Sequence, residues 1–249
     1  LGHLEQALLI CALTVSKETL SAQVPAMIFC RFVSADGDSS YLLADPVTRY
    51  AALVDPHVQT QRGYGEVIGR LDLRLVYLIE THAHESHLSA APVLREESGA
   101  RLVAHSSADL ACVDLHVDDG DSIFIGEEYL RVMATPGHSR CSLSYVWRER
   151  VFTGHPLLAG STGPCQRADA DAGRLYDSIC ERLFALPDET LVYPGRAGGQ
   201  QRETSIAQER DSNAELQPGM SRRRFIARKR IQATPAESWP QHTLAANRR

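Results

Sequence analysis

The 249-residue chain lacks any apolar run near the roughly 18 residues a membrane-crossing helix needs. Its nearest approach, Ala7-Leu8-Leu9-Ile10-Cys11-Ala12-Leu13-Thr14-Val15, resembles a secretory leader core, but Glu5 precedes it and no Lys or Arg does. Residues 1–26 are therefore expected to form an N-terminal helix or appendage. A basic excess is also missing: 26 Lys and Arg face 31 Asp and Glu, and a net charge of -5 argues against nucleic-acid binding as the main role. There is no C-x-x-C pair. The six cysteines (Cys11, Cys30, Cys112, Cys141, Cys165 and Cys180) are scattered, which suits free thiols in a reducing compartment. The expected location is cytoplasmic, with the mitochondrial matrix as the alternative. No repeat of fixed short period and no low-complexity linker divides the chain. One domain over 27–218 is expected, followed by a basic tail over 219–249.

What the chain does have is histidine placed after strands. Leu75-Val76-Tyr77-Leu78-Ile79 reads as a buried strand and empties into Glu80-Thr81-His82-Ala83-His84-Glu85-Ser86-His87. His138 follows Ala134-Thr135-Pro136-Gly137, and His155 follows Val151-Phe152-Thr153-Gly154. Five of the ten histidines thus stand at strand exits. A lone histidine is more often structural; five in this arrangement point to a metal or substrate site at strand carboxyl ends. His57, just past another strand, reads as a surface or loop residue.

The remaining pattern is that of a layered protein. Met27–Val33, Tyr41–Ala44 and Ala51–Asp55 read as an antiparallel meander, with Asp36-Gly37 and Asp45-Pro46 at its turns. Helices are expected around 59–71, over 88–98 with a stop at Gly99, and over 174–186. Arg101–Ala104 completes a βαβ unit around the histidine loop. Ser122–Val132 and Cys141–Phe152 read as hairpins, and Leu191–Gly195 as a last strand. Such an order gives an α+β fold of two sheets covered by helices. In the tail, Ser221–Arg230 reads as a basic amphipathic helix, either a solvated face or a clamp for an anionic substrate or acidic partner.

Together these stretches resemble the metallo-β-lactamase fold. Thr81-His82-Ala83-His84-Glu85-Ser86-His87 resembles its T-H-x-H-x-D-H motif. Thr135-Pro136-Gly137-His138, Phe152-Thr153-Gly154-His155 and Val192-Tyr193-Pro194-Gly195-Arg196 resemble TPGH, FTGD and YPGH. The flanking text is most similar to the glutathione-persulfide dioxygenase branch, with glyoxalase II as neighbour. The resemblance implies a four-layer αββα sandwich. It implies one iron in the dioxygenases, held at the positions of His82, His138 and His155. For the hydrolytic relatives it implies two metals, with His84 beside the first.

Three positions depart from the family pattern: Ser86 and His155 stand where it has Asp, and Arg196 where it has His. Two dications about 3.5–4 Å apart need an anionic bridge. A neutral imidazole has one lone pair and cannot supply it, and a permanent cation at Arg196 repels a second metal. One metal or none is what remains; a single metal is expected on His82, His138 and His155, with His84 the candidate fourth ligand. Imidazoles suit several metals; Fe(II) is the expected cofactor and zinc the alternative. Ser86, Arg167 and Arg196 are the expected substrate contacts, Arg167 standing in for an arginine absent from Gly163-Pro164-Cys165-Gln166. The expected activity is that of a mononuclear persulfide dioxygenase-like oxidoreductase. Its substrate would be a small-molecule or carrier-bound thiol or persulfide, with no nucleic-acid or membrane partner and a homodimer as the admissible assembly. The alternatives are a single-zinc thioester hydrolase and a catalytically silent binding protein of the same fold.

Overall fold

The structure, a computed structural model, describes residues 10–11, 27–196, 203–232 and 246–247. The first sheet runs in the order β1 (Ile10–Cys11), β2 (Ile28–Val33), β3 (Ser39–Ala44), β4 (Tyr50–Val54), β5 (Arg74–Ile79), β6 (Arg101–His105) and β7 (Leu115–Val117). Its β1 to β4 are antiparallel, the meander read from the sequence, and β4 to β7 are parallel. The helices α1 (Gln61–Arg70) and α2 (Ala91–Ser98) make the parallel crossings, and Gly99 ends α2 in the left-handed region.

The second sheet uses β8 (Ser122–Ile125), β9 (Glu128–Ala134), β10 (Leu143–Trp147), β11 (Arg150–Gly154), β14 (Leu191–Pro194) and β15 (Thr204–Ser205). A small ribbon of β12 (Leu157–Leu158) and β13 (Ser161–Thr162) follows β11. Helices α3 (Ala172–Asp177), α4 (Ile206–Ser212) and α5 (Arg222–Gln232) cover this sheet, α3 running on into a π-helical turn over Ser178–Leu183.

Side-chain alternation along the strands builds three cores and so four layers. On β3, Leu42 points to α1 and α2, whereas Tyr41 and Leu43 point between the sheets. On β11, Phe152 faces the intersheet core and Val151 faces α3, α4 and α5. This is the αββα sandwich expected from the sequence.

Three local expectations differ. In the N-terminal segment Ile10–Cys11 is a strand paired with Cys30 and Arg31 rather than helix, and the rest of 1–26 lies outside the described residues. The helix expected from Leu88 starts at Ala91, because Ser89 is drawn into the histidine loop by hydroxyl bonds to Pro56 O and the Glu80 carboxylate. Helix α3 starts two residues early, where the Asp171 carboxylate caps the amides of Gly173 and Arg174.

The basic helix α5 docks rather than floats. Phe225 is fully buried in the third core, and Lys229 reaches inward to Glu215 Oε2 at 2.7 Å and Thr162 O at 3.2 Å. Its remaining basic residues face solvent or pair at the surface, as Arg222 does with Asp177. Truncating Phe225→Ala is expected to destabilise the protein by about 3 kcal/mol through lost burial plus a cavity. A change below about 0.5 kcal/mol in urea unfolding would show that α5 is not part of the core.

Candidate metal centre

The centre is built from the carboxyl ends of β4, β5, β9 and β11. Past Val54 the chain turns through Asp55, whose φ of 50° is a left-handed conformation that Asp tolerates better than most residues. The turn sends its carboxylate under the histidine loop. There Oδ1 accepts Thr81 N at 2.7 Å and Oδ2 accepts the Thr81 hydroxyl at 2.8 Å. Because that hydroxyl spends its hydrogen on Asp55, its oxygen must accept from His82 Nδ1, 2.9 Å away. His82 Nδ1 therefore carries the proton, and Nε2 is left with its lone pair.

His138 is set the same way from the second sheet. Its Nδ1 lies 2.8 Å from Pro164 O, a carbonyl that can only accept, so Nε2 again holds a lone pair. Gly137 before it has φ 140°, and a Cβ there would lie 2.2 Å from Leu175 N, so glycine alone lets the turn pass α3. Gly154 has the same role before His155, since a Cβ would sit 2.5 Å from the Thr81 hydroxyl.

His82, His138 and His155 form a near-equilateral triangle with ring centroids 4.8, 4.9 and 5.1 Å apart. One nitrogen from each lies within 4.8 Å of the other two, and all three side chains are buried. Burial depresses all three imidazoles, His138 to about 4, and the neighbouring cations His84 and Arg167 push the same way. Neutral imidazoles are what a metal needs. His155 Nδ1 is buried with no hydrogen-bond partner, a loss of about 1–3 kcal/mol that a ligand to this ring can offset. The donor set fits a single divalent cation.

His84, expected as the fourth ligand, has a different place. Its Nε2 lies between Glu80 Oε2 at 2.8 Å and Asp55 Oδ1 at 3.2 Å. Burial opposes its charged form, but the two carboxylates prevail and raise it to about 10. Nε2 is thus committed to the two carboxylates, which makes His84 their counter-ion beneath the triad, while its Nδ1 is buried without a hydrogen-bond partner.

His57 corrects a second expectation: it is buried, 2% exposed, and stacks on His87 with centroids 4.6 Å apart. With Asp38 these two form a second cluster whose donor atoms lie within 4.8 Å of one another. Its chemistry does not suit a metal. Gln59 N donates to His57 Nδ1 at 3.0 Å, so the neutral ring's hydrogen sits on Nε2 and a donor faces the cluster. The Arg196 guanidinium lies 3.9 Å from Asp38 Oδ1 and adds a cation.

A cavity of about 110 Å³ opens over the triad, and Ser86, Arg167 and Arg196 all line it. The three differ in what they have left to offer. Arg167 is spent on Ala83 O at 2.8 Å, Asp169 at 2.9 Å and Glu85 at 3.3 Å, so it braces the histidine loop. Ser86 leans on His87 Nδ1 at 3.3 Å. Arg196 is half-exposed and gives one hydrogen to Asp36 O, leaving most of its fork free. Cys165 is pushed up to about 11 by burial and stays a thiol. A larger groove of about 780 Å³, lined by Arg62, Leu73, Arg74 and Leu94 among others, lies away from these groups.

Sequence reading passed over Asp55, Glu80, Thr81 and Asp38 as working parts of the site. Asp55 had a visible signal, an acid directly after a buried strand. Asp38 and Glu80 had none, since only the fold brings them to histidines.

A two-sheet αββα sandwich with buried histidines from both sheets at strand carboxyl ends defines a metallo-β-lactamase-type fold with a candidate metal centre. The Metallo-beta-lactamase superfamily pattern matches residues 34–196, and the chain belongs to that superfamily. It is 31% identical over 210 residues to the mitochondrial persulfide dioxygenase ETHE1 of Homo sapiens, spanning 82% of this chain and 83% of that one. The hydroxyacylglutathione hydrolase of Polaromonas sp. is 34% identical over 164 residues, 63% of this chain and 60% of the relative. Among solved structures, ETHE1 from Myxococcus xanthus superposes with a TM-score of 0.85 at 36% identity, covering 89% of this chain and 98% of that one.

The buried neutral triad has a consequence for stability. Below about pH 6.5, the ordinary imidazole value, the unfolded chain takes up a proton that folded His138 refuses until about 4. Stability of the metal-free protein should therefore fall as pH drops through that window, by up to about 1.4 kcal/mol per pH unit from this residue. His84, raised instead, is protonated in both states there and adds no slope. Urea midpoints measured from pH 7 to 4 should show a flatter dependence in His138→Gln. An unchanged slope would contradict the buried neutral assignment.

Proposed function

We propose that the chain is a mononuclear persulfide dioxygenase-like oxidoreductase whose metal is held by His82, His138 and His155. The observation that carries this reading is the triad itself: three buried neutral rings from two sheets, two with Nδ1 fixed as donor. The likeness to persulfide dioxygenases over most of both chains supports it. Hydrolysis on two metals is disfavoured by His155 at the bridging position, Arg196 beside Asp38, and the donor tautomer of His57.

When bound, ferrous iron supplies the electrons that activate dioxygen. The chain's residues do the rest. Three neutral ligands leave a dication's charge uncompensated, so the site favours an anionic ligand such as a thiolate or persulfide. The cavity of about 110 Å³ is well below the roughly 300 Å³ at which whole-ligand pockets begin. It admits a sulfur head group and leaves the rest of the substrate at the mouth, by Ser86 and Arg196. Leu158 and Pro164 supply apolar wall, and Arg196 provides the cation for the substrate's anionic end.

Iron-loaded protein supplied with a low-molecular-weight persulfide is expected to consume oxygen, and zinc-loaded protein is expected not to. Thioester cleavage that persists without oxygen would overturn the reading in favour of a one-zinc hydrolase. Failure to take up stoichiometric metal on reconstitution would leave a binding protein. Arg196→Ala should raise KM about fivefold, the scale of an exposed ion pair, with kcat little changed. A kcat loss without a KM change would remove Arg196 from the substrate-binding role.

A further inference from the structure

The segment from Glu80 to Ala90 carries His82 and has no regular secondary structure, so its buried main-chain groups must find partners one at a time. Most partners lie close by. Thr81 N goes to Asp55 and Thr81 O accepts Leu143 N; Ala83 O accepts Arg167; Leu88 O accepts Val58 N; Ala90 N donates to Pro56 O. Three further groups are the carbonyls of His84 and His87 and the amide of Ser89. One side chain serves all three. Asn247 Nδ2 donates to His84 O at 3.1 Å and to His87 O at 2.8 Å, and Asn247 Oδ1 accepts Ser89 N at 3.0 Å.

The orientation of that amide is forced, because two partners can only accept and the third can only donate. Asn247 is itself buried, 8% exposed. A carboxylate of the same shape has no hydrogens for the two carbonyls, and Ala offers nothing. We propose that Asn247 is a positioning residue that holds the histidine loop in its metal-ready shape. It spans from two residues past His82 to the entrance of α2. Arg167 holds Ala83 O, so the loop is braced by a guanidinium and a carboxamide. The proposal rests on His82 being a metal ligand, as read above, for its functional consequence but not for the loop order itself.

The test uses the full chain and two readouts. Hydrogen exchange of the wild-type protein, without metal, should show the Ser89 amide protected at least tenfold over an unstructured peptide. Free exchange there would overturn the proposal even if no variant folds. In Asn247→Ala, exchange across residues 83–90 should accelerate at least tenfold while β10 is unchanged. The zinc-loaded variant should surrender its metal to a chelator about tenfold faster, the scale of losing a group that orients a ligand. The visible spectrum of its cobalt-loaded form should change as well. Asn247→Asp should behave like Asn247→Ala. Acceleration that extends equally to β10, or unchanged exchange and unchanged metal release, would overturn the positioning role. If wild-type protein takes up no metal, the reading of the triad fails, and the exchange data still decide what Asn247 does.

Discussion

The Asp55 carboxylate is the constraint on which the site depends. Its two oxygens receive the Thr81 amide, the Thr81 hydroxyl and His84 Nε2, all inside the protein. Through the Thr81 hydroxyl it decides which nitrogen of His82 carries hydrogen, so a residue that touches no ligand sets the form of one. Burying such a carboxylate is costly unless it is paired and hydrogen-bonded. His84 supplies the pairing as an imidazolium shared with Glu80, whose other oxygen is met by the Ser89 hydroxyl. Two carboxylates and one cation thus lie below three neutral rings.

That layering offers the proposed metal a compensation for imidazole at position 155. A carboxylate ligand brings charge to the metal directly. Here the negative charge stands two hydrogen bonds back, at Asp55, where it polarises His82 through Thr81 without occupying a coordination position. The same arrangement disposes of the second metal. Ser86 has lost the carboxylate, Arg196 replaces an imidazole by a cation, and Asp38 faces that cation at 3.9 Å. Asp38, His57 and His87 do gather. The Gln59 amide nevertheless fixes His57 in the tautomer that donates toward its neighbours. Proximity of three ligand-type residues is therefore a weaker sign than the hydrogen bonds on their far nitrogens.

Much of this was legible in the chain. Periodicity and turn residues gave the meander, the βαβ crossing and the hairpins, because those depend on neighbours in sequence. The triad was legible because each of His82, His138 and His155 ends a strand, and strands of layered sheets end together. What stayed hidden depends on distant partners. His84 looks like His82 in the sequence, and only Glu80 and Asp55 arriving at its Nε2 make it their counter-ion. His57 looks like a loop residue until Tyr64 OH takes its amide at 2.8 Å and His87 covers its ring. Arg167 reads as a free cation, yet carbonyl and carboxylate partners consume it. Spacing names the residue type at a site but not the state the fold imposes on it.

The triad also straddles the sandwich, and this ties site geometry to core packing. His82 leaves the first sheet, while His138 and His155 leave the second, so the sheet separation sets how closely the rings approach. Between the sheets lie Phe29, Tyr41, Trp147, Phe152 and Tyr193, with Phe29 and Tyr193 centroids 5.0 Å apart. Two buried hydroxyls cross that core: Tyr41 donates to Pro194 O at 2.7 Å, and Tyr145 to Glu80 O at 2.9 Å. Burial holds Tyr145 far above its ordinary range, so it remains a donor at any physiological pH. The Tyr145 bond and that of Leu143 N to Thr81 O fasten the histidine loop of one sheet to β10 of the other, and Tyr41 ties β3 to β14. Close-packed aromatics resist small displacements because losing contact over even half an ångström forfeits dispersion energy. The geometry of the histidine triad is thus inherited from the hydrophobic core, and a change deep between the sheets would alter how closely the three rings approach.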